Sequence, residues 1–114
     1  MAKSITERLT YEQAQSFPVR LNAKLADAVH FANWCRNSGL EPADGAKIIA
    51  LAKARHAASV LVCNGPGHDD AEQRAIDRLF AFAAGLGFGV DVSGTLWATL
   101  VRPNGDLVQI PDLG

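Results

Sequence analysis

The sequence predicts an α+β domain in which three to four helices precede a C-terminal three-stranded antiparallel β-meander. Three observations carry that expectation. Apolar residues recur at three-to-four spacing through the first three-quarters of the chain, two turn sequences punctuate residues after 87, and both turns lead to one apolar sheet face. The 114 residues fit one domain, with residues 1–10 read as a flexible arm. A chain of this size buries roughly two-thirds of its unfolded surface, enough for one modest core.

Thr10-Tyr11-Glu12-Gln13 fits a capping box, and the short helix it opens is expected to stop before Pro18. A second helix is expected from Asn22, with Leu25, Ala28, Val29, Ala32 and Cys35 as its buried stripe and Gly39 as a left-handed cap. Pro42 suits the first position of a third helix. Its expected buried stripe is Ala50, Leu51, Ala54, Ala57, Ala58, Leu61 and Val62, with Lys53, Arg55, His56 and Ser59 opposite. Ser59 to Cys63 is β-branched in part, but the stripe runs through it to Asn64-Gly65-Pro66, so one long helix is predicted. A fourth helix starts near Asp69 or Asp70, buries Ala75, Ile76, Leu79, Phe80, Ala83 and Leu86, and closes at Gly85 to Gly87.

For the meander, Asn104-Gly105 is read as a two-residue hairpin turn that sets Val101 against Val108. Ser93-Gly94 is read the same way and sets Val90 against Trp97. Strand alternation then puts Phe88, Val90, Val92, Trp97, Val101, Val108 and Ile110 on the core face. Asp91, Leu96, Ala98, Leu100, Arg102, Leu107 and Gln109 fall behind it, a face more apolar than a solvated one requires.

Net charge is −1, so no overall field recruits nucleic acid or an anionic membrane. Residues 1–56 hold eight Lys/Arg against five Asp/Glu, and residues 57–114 hold three against seven. Lys47, Lys53, Arg55, Arg20, Lys24 and Arg36 form at most a mild basic patch, without a helix-turn-helix or interleaved aromatics, so nucleic acid is not the expected partner. No window is apolar enough for a membrane span, and residues 1–10 carry no apolar leader segment. Cys35 and Cys63 are read as reduced thiols and the chain as cytoplasmic.

No P-loop, elbow serine or dinucleotide fingerprint occurs, and no cofactor is expected. The densest chemistry is Cys63, His68, Asp69 and Asp70, a possible metal site or nucleophile pair. Adjacent carboxylates would raise the thiol pKa, and no other His or Cys has ligand spacing to His68, so a helix end, turn and helix start is the preferred reading. Trp34 lies opposite the predicted stripe, beside Asp27 and His30. A large aromatic there is covered by the N-terminal segment, with Phe17 or Tyr11 as cover, or offered to a partner.

Val62-Cys63-Asn64-Gly65, Gly85-Leu86-Gly87-Phe88 and the terminal hairpin together resemble small accessory proteins encoded by phages and plasmids. The resemblance spans the C-terminal half and carries over no functional residue. It implies a compact protein that binds and blocks a host complex, in the manner of anti-CRISPR or anti-restriction inhibitors. The expected function is a non-enzymatic protein-binding module using Trp34, Asp27, His30, Leu96, Leu100 and Leu107. The alternatives are a homodimeric regulatory or nucleic-acid-binding protein, and a small enzyme built on the Cys63/His68 cluster.

Overall fold

Three helices lead into a three-stranded antiparallel sheet in the computed structural model, which describes residues 17–93 and 96–112, with side-chain surroundings from residue 26 onward. Helix α1 is Phe17–Ser38, α2 is Pro42–Asn64 and α3 is Asp69–Gly85; strands β1 (Gly89–Asp91), β2 (Thr99–Val101) and β3 (Leu107–Gln109) lie in that order across the sheet. The arm at 1–10 and the capping box at Thr10 lie outside the described residues.

Helix α1 starts five residues before the expected Asn22. Pro18 falls in its first turn, where the missing N–H has no intrahelical acceptor to lose. The far end closes as expected: Gly39 takes φ 73°, and the Leu40 amide donates back to the Cys35 carbonyl at 2.8 Å. The same device closes α3, where Gly87 has φ 89° and the Phe88 amide reaches Ala83 O at 2.9 Å. Helix α2 runs unbroken through residues 59–63, as the sequence predicts, with Pro42 at its start.

Two predicted helix faces are corrected. On α1 the packed residues are Trp34, Cys35 and Ser38, with Phe31 half-buried, while Ala28, Val29 and Ala32 are exposed. Among the side chains described from residue 26 onward, the packed ones begin at Phe31, where Leu40 and α2 lie. On α2 the buried residues are Gly45, Ile48, Ile49, Ala52, Arg55 and Ser59. Ala50, Ala54, Ala57 and Leu61 are exposed while Leu51, Ala58 and Val62 are half-buried, so the packed face is rotated from the expected stripe toward Arg55 and Ser59. Helix α3 keeps its expected face at Leu79 and Ala83, although Phe80 is exposed.

Gly45 explains how closely α1 and α2 approach. A Cβ there would lie 2.5 Å from Cys35 Sγ and 3.1 Å from Trp34 Cζ3. Gly45→Ala removes a helix-weakening glycine, worth about 1 kcal/mol in favour of the variant. The overlap with buried Sγ costs about 1–3 kcal/mol and outweighs it. A lower urea midpoint at unchanged m-value is therefore expected, and Cys35→Ala in the same chain should restore most of the loss.

In the sheet Val90 pairs with Leu100 and Leu100 with Val108. The predicted Val101–Val108 pairing is corrected by one residue and the Val90–Trp97 pairing by three. Pro103 is the physical cause of the first shift. A two-residue Asn104-Gly105 loop must close through an N–H at position 103, and proline has none. The loop instead closes one residue out: the Arg102 amide donates to Asp106 O at 2.8 Å and the Gly105 amide to Arg102 O at 2.9 Å. Pro103 then occupies the second position of a four-residue turn, Asn104 keeps a negative φ, and Gly105 alone takes φ 92°. That is a three-residue loop with a glycine bulge.

The link from β1 to β2 is longer than the Ser93-Gly94 turn. Asp91 Oδ1 accepts from Ser93 N at 2.9 Å and Oγ at 2.6 Å, which holds the carboxyl of Asp91 below its usual range. Residues 96–98 pack on other elements before β2 begins: Trp97 Nε1 donates to Ile110 O at 2.7 Å, and Ala98 is fully buried. Both register changes are odd, so they reverse β2 and leave β1 and β3 in place. The core face therefore contains Leu100 and Ala98 in place of Val101 and Trp97, with Phe88 and Ile110 as predicted. It packs with Trp34, Leu40, Ile48, Ile49, Ala52, Leu79 and Ala83 as one cluster.

Candidate functional site: a cleft between the first helix and the last strand

The register leaves β3 with a defined outer edge. Arg102 and Asp106 form a hydrogen-bonded pair, so the alternation of an antiparallel ladder makes Leu100 and Val108 the next one. The N–H and C=O groups of Leu107 and Gln109 consequently point away from β2. Trp34 marks that direction, because its Nε1 donates to Gln109 O at 2.6 Å from the far side.

Between this edge and the C-terminal half of α1 lies a cleft of about 570 Å³, lined by His30, Asn33, Trp34, Asn37, Ser38, Arg102, Asp106, Leu107, Val108 and Gln109. The helix wall is a spacing effect: residues 30, 33, 34 and 37 share one face of α1. Arg102 ties the two walls together. Its Nη2 donates to the Asn37 carbonyl at 3.0 Å, supplying positive charge to the C-terminal end of α1, and its guanidinium carbon sits 5.8 Å from the Phe88 ring centroid. Asp106 is fixed by Asn104, which donates Nδ2 to Asp106 Oδ2 and accepts the Asp106 amide at Oδ1, both at 3.0 Å. One cation, one anion and several amides on rigid walls can orient a polar chain.

Of the residues singled out from sequence, His30, Trp34 and Leu107 line this cleft. Asp27 is exposed one turn before His30. The expectation of an exposed Trp34 is corrected: Trp34 is 8% exposed and joins the core, with its indole N–H on β3, while cover by Phe17 or Tyr11 lies outside the described side chains. Leu100 is likewise corrected from the outer face to the fully buried core by the β2 reversal. Leu96 is exposed, away from the cleft, with its carbonyl 3.3 Å from His56 Nδ1, and the His56 ring stands edge-on to Trp97 at 5.9 Å. Asn33, Asn37, Arg102, Asp106 and Gln109 were not singled out. The face 30/33/34/37 was the available signal, but it points to a cleft only once β3 is known to lie against it.

The Cys63 cluster is open. Cys63, Asp69 and Asp70 are exposed and His68 half-buried. No group of three His, Cys, Asp or Glu is placed to hold a metal ion among the described residues. Cys35 and Cys63 are free thiols, and burial pushes the Cys35 thiol up. The proposed basic patch is divided: Lys47 Nζ sits 4.6 Å from the Phe82 ring centroid, Arg36 is exposed and Arg55 is buried. Among the described residues, no helix is long and apolar enough to cross a membrane. Compared with known proteins, the chain matches no family model, no curated protein sequence and no solved structure.

Proposed function

We propose that the protein is a non-enzymatic protein-binding module whose recognition surface is the cleft between α1 and β3. The observation that supports this most is the outer edge of β3, which pairs with no strand among the described residues and forms one wall of a polar cleft. Leu107 presents an N–H and a C=O there, and Gln109 an N–H, to any extended segment that lies alongside. His30, Asn33 and Asn37 face the same space from α1 and supply side-chain contacts. Leu107, 63% exposed, gives an apolar contact at the strand end.

A random-peptide display selection tests this reading. Peptides enriched on the wild-type chain should bind the His30→Ala/Asn33→Ala double variant at least about tenfold more weakly, the equivalent of ~1.4 kcal/mol. Both residues are exposed, so stability should stay within about 0.5 kcal/mol. Equal affinity for wild type and double variant would place recognition elsewhere. If light scattering shows a concentration-dependent dimer that the double variant loses, the occupant is a second copy pairing β3 edges about a two-fold axis.

The narrower reading is an inhibitor from a mobile element, acting in the cytoplasm by blocking a host complex. Its support is the sequence resemblance of the C-terminal half. Near-neutral charge favours a steric or allosteric block over nucleic-acid mimicry.

A further inference from the structure

Helix α2 turns two polar side chains into the core. Arg55 is 5% exposed and Ser59 fully buried, on the same face and one turn apart. Nε and Nη1 of Arg55 and Oγ of Ser59 are sealed from solvent and meet no hydrogen-bond partner among the described residues. Arginine cannot shed its proton to escape this situation, and a buried charge without a partner is among the costliest features a fold can carry. Serine in a helix ordinarily returns its hydroxyl to the carbonyl one turn back, and Ser59 does not. Helix α2 itself has no carboxylate after Asp44, so no partner one or two turns away on the same helix can serve.

We infer that Arg55 and Ser59 form a binding site for an oxyanion, a phosphate or a carboxylate group, on the buried face of α2. A guanidinium and a hydroxyl are the donor set that planar and tetrahedral oxyanions accept from, and the guanidinium fork matches either geometry. Each of the three sealed atoms can donate a hydrogen bond to such a group. Shared chemistry leaves two sources, a free inorganic or metabolite phosphate and a carboxylate carried by another chain. This site is separate from the α1–β3 cleft and stands or falls independently of it.

Calorimetric titration of inorganic phosphate and of acetate into the full chain tests the site, together with thermal midpoints in chloride buffer of matched ionic strength. Saturable binding of either anion to wild type is expected, with a midpoint that climbs with anion concentration. Phosphate saturating first identifies a phosphate source, and acetate a carboxylate source. Arg55→Met should reduce the affinity at least about tenfold. It should also melt higher than wild type in chloride, because a sealed charge has been replaced by an apolar chain of similar length. Arg55→Lys keeps the charge without the fork and should bind at intermediate strength, which preserves the test if the methionine variant folds poorly. Ser59→Ala should weaken binding with little change in melting. Absence of saturable binding of both anions to wild type overturns the inference, as does equal affinity in wild type and the Arg55 variants.

Discussion

Replacing Trp34 by alanine is expected to cost about 3–5 kcal/mol of unfolding free energy, the range for truncating a buried aromatic. The side chain connects three elements. It lies on α1, its Cζ3 comes to 3.1 Å of where a Gly45 Cβ would sit on α2, and its Nε1 donates to Gln109 O on β3. Its ring is also tilted at 43° to Phe31, with centroids 6.4 Å apart. Against the total of 5–15 kcal/mol typical of a domain, this loss is enough to leave the variant partly unfolded at 37 °C. Trp34→Phe separates the contributions, since it keeps most of the packing and removes the indole N–H. About 1 kcal/mol is expected for that change, the net worth of one hydrogen bond to a carbonyl beside a wet cleft. Urea titrations followed by circular dichroism measure both. A Trp34→Ala loss below about 1 kcal/mol would mean that the indole is solvated and available to a partner after all.

That contrast shows which features were legible from sequence. Element type and order follow from caps and breakers: Gly39 and Gly87 in left-handed caps, Pro42 at a helix start, and an unbroken α2 are visible in local chemistry. Facing is less visible, and α2 shows why. It is apolar nearly all round, so alanine and leucine positions give no direction and the polar residues become the guide. Two of those polar residues, Arg55 and Ser59, are the ones the fold buries. A helix whose polar side chains sit inside for a ligand or partner will be turned the wrong way by any pattern that assumes polar means solvent. Trp34 was misplaced for a related reason. Its neighbours in sequence, Asp27 and His30, are exposed, yet Trp34, Cys35 and Ser38 are buried, so the surroundings of α1 change between residues 30 and 34. The candidate cleft was legible on its helix side and illegible on its strand side, because the β3 edge depends on a register that one proline decides.

Leu100 and Leu107 test that register directly. A two-residue Asn104-Gly105 turn would put both leucines on one outer face, and their truncation would then cost similar, small amounts. The closure at Arg102 and Asp106 separates them: Leu100 is fully buried against the helices, while Leu107 is 63% exposed at the edge of the cleft. Leu100→Ala should therefore lose about 2–5 kcal/mol, and Leu107→Ala should stay within about 0.5 kcal/mol of wild type. The gap is several times the error of paired urea titrations, so equal values would contradict the pairing of Leu100 with Val108. Pro103→Ala then asks whether the missing N–H is the cause. Restoring a donor at 103 removes the barrier to the two-residue turn, but moving the register by one would carry Leu100 and Ala98 out of the core and Trp97 and Val101 into it. Burying Leu100 alone is worth about 1.5–3 kcal/mol, and Ala98 is fully buried as well. Core packing should hold the register in Pro103→Ala, at a loss of about 1 kcal/mol from the freer unfolded loop. In the combined Pro103→Ala/Leu100→Ala chain that restraint is weaker. Nuclear Overhauser contacts between the Val108 and Leu100 or Val101 amide protons would show which register survives, and a slip confined to the double variant is the expected result.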